Sequence, residues 1–169
     1  EGGNTIASGA ADEDCLKGGI NPSGCENDQV SNQSSGAAYV FVRTGTTWSQ
    51  QVFLKASHPA LEDWFGVRIA ISGDGNTVAV GAQNQSSAAT GINGKEDDRS
   101  ASQAGAVYFF TRTGTTWTQQ AFVKSSNARV GDEFGSSIAL SRDGRTMLAG
   151  ARGEDSSAKG VNGNQADKS

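Results

Sequence analysis

Gly36-Ala37-Ala38-Tyr39-Val40-Phe41, running on to Gly81-Ala82, recurs as Gly105-Ala106-Val107-Tyr108-Phe109-Phe110 through Gly150-Ala151, 69 residues later and without a gap. About 26 of the 47 positions are identical, far more than shared composition supplies, so the chain is built on an internal repeat. A third, partial copy opens the sequence. Gly3-Asn4-Thr5-Ile6-Ala7-Ser8-Gly9-Ala10 matches Gly75 to Ala82 at a spacing of 72, which gives the loop that follows it three extra residues.

Strand signals within the repeat are short and evenly spaced, which predicts many small strands. The first strand of the unit is Phe65 to Ile71, repeated as Phe134 to Leu140, and the second is Thr77 to Gly81, repeated as Thr146 to Gly150. Asp74-Gly75 and Asp143-Gly144 between them predict tight hairpins, because these residue types tolerate positive φ. The third strand, Ala37 to Arg43 and again Ala106 to Arg112, turns through Thr44-Gly45 or its copy into a fourth, Ser49 to Lys55 and Thr118 to Lys124. Between the second and third strands lies a long polar loop such as Gln83 to Ala104. Loops beyond about 15 residues are uncommon in a compact unit and are mostly functional or disordered.

The 169 residues include 23 glycines and 2 prolines, with 35% apolar and 19% charged side chains. That suits one turn-rich β domain and excludes a large multidomain enzyme. Fourteen basic against 18 acidic residues give a net charge of −4, so no basic footprint for nucleic acid is present. No apolar run approaches the roughly 20 residues of a spanning helix, and no membrane insertion is expected.

A four-stranded antiparallel unit cannot bury both faces by itself and must stack on its neighbours. The predicted fold is all-β, with four-stranded antiparallel blades forming part of a β-propeller or an open stack. Residues 1–57 form a partial blade (second to fourth strands), 58–126 a complete blade, and 127–169 a partial blade (first two strands and a loop). Small Gly and Ala suit crowded inner strands, whereas Trp48 and Trp117, with the glutamine pairs at 50–51 and 119–120, suit a wetter outer strand.

Phe-Gly at 65–66 and 134–135, followed by Gly-Ala at 81–82 and 150–151, resembles the FG-GAP repeat of integrin α-subunit propellers and of many bacterial and algal extracellular proteins. The resemblance covers essentially the whole chain. It implies a seven-bladed propeller as the usual parent fold, with the Phe-Gly strand innermost. The proline of the family's Gly-Ala-Pro is Ala11, Gln83 and Arg152 here. The integrin-type repeat also carries a calcium loop between its first two strands, because a hard cation takes several carboxylate oxygens at roughly 2.4 Å. Here Ala70, Ser72 and Val78 stand at the other ligand positions around Asp74, and Ala139, Ser141 and Met147 around Asp143. One carboxylate per turn does not make that site, so it is not carried over.

No catalytic constellation is evident, and the chain is not expected to be an enzyme. His58, the only histidine, sits where the next copy has Asn127, so no Ser-His-Asp or Cys-His set can be assembled from the repeat. No helix follows the glycines to present its N-terminus to a phosphate.

The functional weight falls on the long loops, which share Gly19-Ile20-Asn21, Gly91-Ile92-Asn93 and Gly160-Val161-Asn162. The last two also share Gly94 with Gly163 and Asp98 with Asp167. In one reading, Asn and Gly supply turns and caps while Ile or Val pins the loop to the blade edge. In the other, Glu154, Asp155, Asn162 and Asp167 form an oxygen-rich site of calcium-type chemistry, although the middle loop has Gln85 and Ser86 at the first two positions. Cys15 and Cys25 lie in the first loop without further zinc ligands at suitable spacing. A disulfide is the simplest expectation, and with it an oxidising, extracellular compartment. Asn32-Gln33-Ser34 and Asn84-Gln85-Ser86 fit the N-glycosylation pattern at Asn32 and Asn84.

Strand positions left unfilled in the first and last units are expected to be supplied by the remainder of a parent propeller, or by other copies in head-to-tail strand or blade contacts. The expected function is a non-enzymatic extracellular module for adhesion, for binding a protein or glycan, or for structural assembly. Alternatives are a self-polymerising filament subunit and a carbohydrate-binding or accessory module of a larger secreted hydrolase. A carbohydrate site would reuse matched aromatics; the only matched tryptophans, Trp48 and Trp117, read as strand-edge packing.

Overall fold

The computed structural model describes residues 3–25 and 33–166. These residues form nine strands and no helix: β1 (Thr5–Ala10), β2 (Ala37–Thr44), β3 (Thr47–Leu54), β4 (Phe65–Ile71), β5 (Thr77–Ala82), β6 (Ala106–Thr113), β7 (Thr116–Val123), β8 (Phe134–Leu140) and β9 (Met147–Ala151). They pair in chain order into three antiparallel sheets, β1-β2-β3, β4-β5-β6-β7 and β8-β9. No helix among the described residues is long and apolar enough to cross a membrane.

The repeat in sequence is a repeat in register. The β1–β2 ladder closes on Ala10↔Ala37 and the β5–β6 ladder on Ala82↔Ala106. The β2–β3 and β6–β7 hairpins each shift register at the same place, between Val40 and Phe41 and between Phe109 and Phe110. Their turns are tighter than the sequence suggests. Thr44 pairs with Thr47 and Thr113 with Thr116, enclosing Gly45-Thr46 and Gly114-Thr115. A positive φ at the glycine alone, 61° and 64°, is the pattern of a two-residue type II′ turn. Because such a turn fixes the register from its first residue, the fourth strands start at Thr47 and Thr116 rather than at Ser49 and Thr118.

Successive sheets are joined in one way. Phe65 donates its backbone N–H to the carbonyl of Ser35 at 3.1 Å, and Gly36 and Phe65 form a single parallel bridge. Phe134 repeats this with Ala104 at 3.0 Å and with Gly105. The Phe-Gly pair therefore marks where each first strand crosses the preceding sheet. At Gly66, φ is +93°, and a Cβ would lie 2.1 Å from the carbonyl oxygen of Ala37; at Gly135, φ is +88°, with Ala106 O at 2.6 Å. Only glycine meets both demands. Phe65 is fully buried and lies edge-on to Tyr108 and Phe110, with ring centroids at 5.2 and 6.1 Å. It belongs to one apolar cluster that runs from Val40, Val52 and Leu54 to Val78, Val80 and Phe122, bridging the first two sheets.

Trp117 does not occupy a wet outer strand. It is 4% exposed, with its indole against the preceding sheet, whereas its counterpart Trp48 is 39% exposed. Each indole carries an arginine over its ring, Arg43 at 5.6 Å and Arg112 at 5.3 Å. The difference is the neighbour: β3 lies beside Trp117 and supplies Gln51 to it.

Candidate functional site

The Asp-Gly turns use their carboxylates internally. Asp74 accepts from Ser72 Oγ at 2.6 Å, Asn76 N at 2.9 Å and Asn76 Nδ2 at 3.1 Å, while Ser72 Oγ in turn accepts Thr77 N at 3.0 Å. Asp143 is held alike by Ser141 Oγ and Arg145 N. These hydroxyl and amide donors hold both carboxyls below the usual range. Both carboxylates brace their turns.

The shared Gly-(Ile/Val)-Asn element acts as a clasp on the outermost strand. Asn93 donates its N–H to Phe122 O at 2.8 Å and accepts Phe122 N on its side-chain oxygen at 3.0 Å, while Lys124 N reaches Gly91 O at 2.8 Å and Ile92 bridges Val123. Asn21 does the same with Phe53, Gly19 with Lys55, and Ile20 with Leu54. The asparagines adopt positive φ, 47° and 55°, which lets both their backbone and their side chain face one strand residue. In the first two loops the asparagine thus supplies both the turn and the cap on the strand.

Beneath each clasp lies a buried lysine that sequence reasoning did not single out. Lys55 and Lys124 follow the last residue of β3 and β7, and both ammoniums turn inward. Lys55 Nζ bonds Glu13 Oε2 and donates to Ser35 Oγ at 2.9 Å. Lys124 Nζ donates to Gln85 Oε1 at 3.1 Å. Burial lowers the Lys124 pKa from 10.5 to about 8. Glu13 and Gln85 are equivalent positions of the repeat, each reaching back with its N–H to the last alanine of the second strand. The available signal was the lysine repeated directly after an apolar-alternating strand, in Phe53-Leu54-Lys55 and Phe122-Val123-Lys124.

The third equivalent position is Glu154, the first residue of the predicted cation site. Its Oε1 accepts from Asn127 Nδ2 and Ser156 N, both at 3.1 Å, and its Oε2 from Ser156 Oγ at 2.9 Å. Asp155 faces Arg129 instead, at 3.7 Å, and is mostly exposed. Asn162 has φ 58°, the clasp conformation of Asn21 and Asn93. Asp167 lies outside the described residues, as does Asn32 of the first glycosylation tripeptide. Asp98, the residue matched to Asp167, fastens its own loop by accepting Ala88 N and Ser100 N. Asn84 of the second tripeptide is 8% exposed, a position with little access for a sugar.

Cys15 and Cys25 are disulfide-bonded. Among the described residues, the one group of three or more His, Cys, Asp or Glu with converging ligand atoms is Glu13, Cys15 and Cys25; its sulfurs are spent in that bond and its carboxylate on Lys55. A cleft of about 430 Å³ opens beside the disulfide, lined by Glu13, Asn21, Pro22, Tyr39, Gln50 and Phe53. In the next unit the counterpart of Tyr39, Tyr108, is fully buried.

His58 is a loop residue whose backbone N–H donates to Glu96 Oε1 at 3.0 Å, with its Nδ1 3.6 Å from Glu96 Oε2. Ser57 Oγ donates directly to Glu96 Oε2 at 2.6 Å. The imidazole is therefore not interposed between hydroxyl and carboxylate, as a nucleophile–base–carboxylate relay requires. Nearby, Arg99 chelates Asp63 at 3.1 and 3.2 Å, tying the long loop to the connection before β4. Burial raises the Asp63 pKa from 3.8 to about 6, against the opposing pull of Arg99.

A family model described as FG-GAP repeat matches residues 48–110 and 117–166, more than half of the sequence, and the chain belongs to that family. No curated protein matches it.

Proposed function

We propose that the chain is a propeller-type module acting outside the cell, with a non-enzymatic role in binding or structural assembly. The observation that carries this reading is the repeated crossing at Gly36–Phe65 and Gly105–Phe134, since a constant joint between successive sheets turns them about an axis. The long loops all leave from the ends of second strands, so they gather on one rim, where repeat proteins bind partners. The cleft beside Tyr39 and Phe53, of about 430 Å³, suits a protein or glycan ligand. The family and the disulfide both favour an extracellular setting. The direct Ser57–Glu96 bond, with His58 to one side, supports a role without catalysis.

The module works as part of a larger assembly, either within a parent propeller or as head-to-tail copies in a filament. The filament reading is favoured by the apolar groups on its end sheets, Ile6 and Trp48 at one end and Leu148 at the other. Electron microscopy of native material beside an intact mass tests both. Discrete closed particles from a subunit far heavier than 17.4 kDa support the parent propeller, and fibres of a 17.4 kDa subunit support the filament. A folded monomer of this chain at micromolar concentration overturns the assembly reading.

A further inference from the structure

The last sheet keeps several of the features that receive the third and fourth strands in the sheet before it. β5 is flanked by β4 and β6, and its residues Val78 to Ala82 are buried. β9 has β8 on one side and no strand among the described residues on the other, and Leu148, the counterpart of buried Ala79, is 72% exposed. Phe134, Ala149, Ala151 and Glu154 line a cleft of about 360 Å³. Their counterparts Phe65, Val80, Ala82 and Gln85 receive β6–β7: Tyr108 pairs with Val80 and packs on Phe65, Ala106 pairs with Ala82, and Lys124 bonds Gln85.

The polar half of this surface is also in place. Glu154 N reaches Ala151 O at 3.4 Å as Gln85 N reaches Ala82 O at 3.1 Å, and Ser156 N bonds Glu154 Oε1 as Ser87 N bonds Gln85 Oε1. The acceptor oxygen is thus held by the same backbone donor as Gln85 Oε1, with Asn127 Nδ2 at 3.1 Å as its second donor in place of a lysine ammonium. Among the described residues no lysine or arginine is ion-paired with Glu154. The loop also takes the clasp conformation, with Gly160 at φ 75° and Asn162 at φ 58°, while Val161 between them is 92% exposed. Farther along, Gln165 anchors on Ser126 and Asn127 as Glu96 anchors on Ser57 and His58.

We infer that the β9 edge and the loop after it form a docking site for a β-hairpin of the chain's own repeat type, whose outer strand ends in a lysine that ion-pairs with Glu154. The inference rests on the module reading above and names its partner's chemistry. The incoming inner strand carries the Gly-Ala-x-Tyr-x-Phe pattern, placing its tyrosine over Phe134. The outer strand carries Phe-x-Lys, offering its phenylalanine N–H to Asn162 and its ammonium to Glu154. Main-chain pairing supplies affinity and the lysine fixes register, since a slip of one residue turns it away from the acceptor.

The probe is a labelled peptide of residues 102–126, titrated into the full chain. Saturable binding is expected, weakened at least ~10-fold by lysine-to-glutamate at position 124 of the peptide and equally by Glu154→Lys in the chain, with the two reversals together restoring it to within ~3-fold. No binding, or binding indifferent to both reversals, overturns the proposal. A second measurement is independent of peptide behaviour. Residues 101–126 appended after Ser169 continue the repeat in phase, and they should slow amide hydrogen exchange from Leu148 to Ala151; unchanged exchange in that extended chain overturns the proposal. If native assemblies form while these amides still exchange freely, the docking proposal fails and the module reading stands.

Discussion

Trp117 donates its indole N–H to Gln51 Oε1 at 2.9 Å, across the boundary between two sheets. Arg112 Nη1 donates to the same oxygen at 2.8 Å, so one amide carbonyl holds both groups of a stacked cation–aromatic pair. Gln51→Ala leaves two largely enclosed donors without that acceptor and should cost about 1–3 kcal/mol in urea denaturation. Gln50→Ala, on the exposed side of the same strand, should cost no more than about 0.5 kcal/mol. Equal losses in the two variants would remove Gln51 from the joint between sheets.

The Phe-Gly crossing should be the least forgiving backbone in the chain. Gly66→Ala combines a left-handed φ with a contact against Ala37 O that no side chain can relieve, and a loss upwards of about 3 kcal/mol is expected. Gly91→Ala has a similar φ, 72°, but open space around its Cβ, so only the conformational cost of about 1–2 kcal/mol remains. Thermal melts of the pair separate crowding from conformation. A Gly66→Ala chain as stable as Gly91→Ala would show that the sheets can shift apart.

Asp63 and Lys124 give the stability a defined pH profile. With Asp63 raised from 3.8 to about 6, the folded chain holds this proton more tightly than the unfolded chain does. Its contribution therefore falls as pH rises from about 4 to 6, by at most ~1.4 kcal/mol per pH unit, and is flat above that. Lys124, lowered from 10.5 to about 8, acts in the other window: stability rises as pH climbs from about 8 to 10.5, because the unfolded chain holds the extra proton there. Denaturation midpoints measured across pH should lose the acid limb in Asp63→Asn and the alkaline limb in Lys124→Met. Persistence of both limbs in the variants would assign them to other groups.

The disulfide should stiffen one loop without holding the fold. Cys15 and Cys25 are ten residues apart, which by chain entropy is worth about 2–3 kcal/mol at most. The Ile20–Leu54 bridge and the Lys55–Glu13 pair tie the same loop to β3 independently. Reduction should lower the melting temperature while leaving the far-ultraviolet circular dichroism of the sheets intact. Loss of the β spectrum on reduction would make the bond structural.

Local signals were legible in the sequence and contacts between repeats were not. Phe65–Ile71 and Phe134–Leu140 stand as read, because Phe-Gly bounds them on one side and an Asp-Gly turn on the other. The fourth strands begin two residues before the expected Ser49 and Thr118, since Thr47-Trp48 is polar at its start and only the tight Gly45-Thr46 turn commits it to the ladder. Trp117 reads as an outer-strand residue because the group that buries it, Gln51, comes from another sheet. The buried lysines escaped for a related reason. Lysine after an apolar strand reads as a solvated end until the loop that covers it is folded, and its acceptor in that loop changes from Glu13 to Gln85.

The clasps also separate loop content from sheet geometry. The first loop carries three more residues than the second and a disulfide, yet both run from an alanine that closes one ladder, through a Gly-Ile-Asn clasp, to a glycine that bridges the next sheet. Whatever lies between clasp and bridging glycine is fenced by two fixed points. Length is what varies there, as the three extra residues of the first loop show, while the ties from Glu96 to Ser57 and from Arg99 to Asp63 hold the second loop and the strands on either side keep their partners.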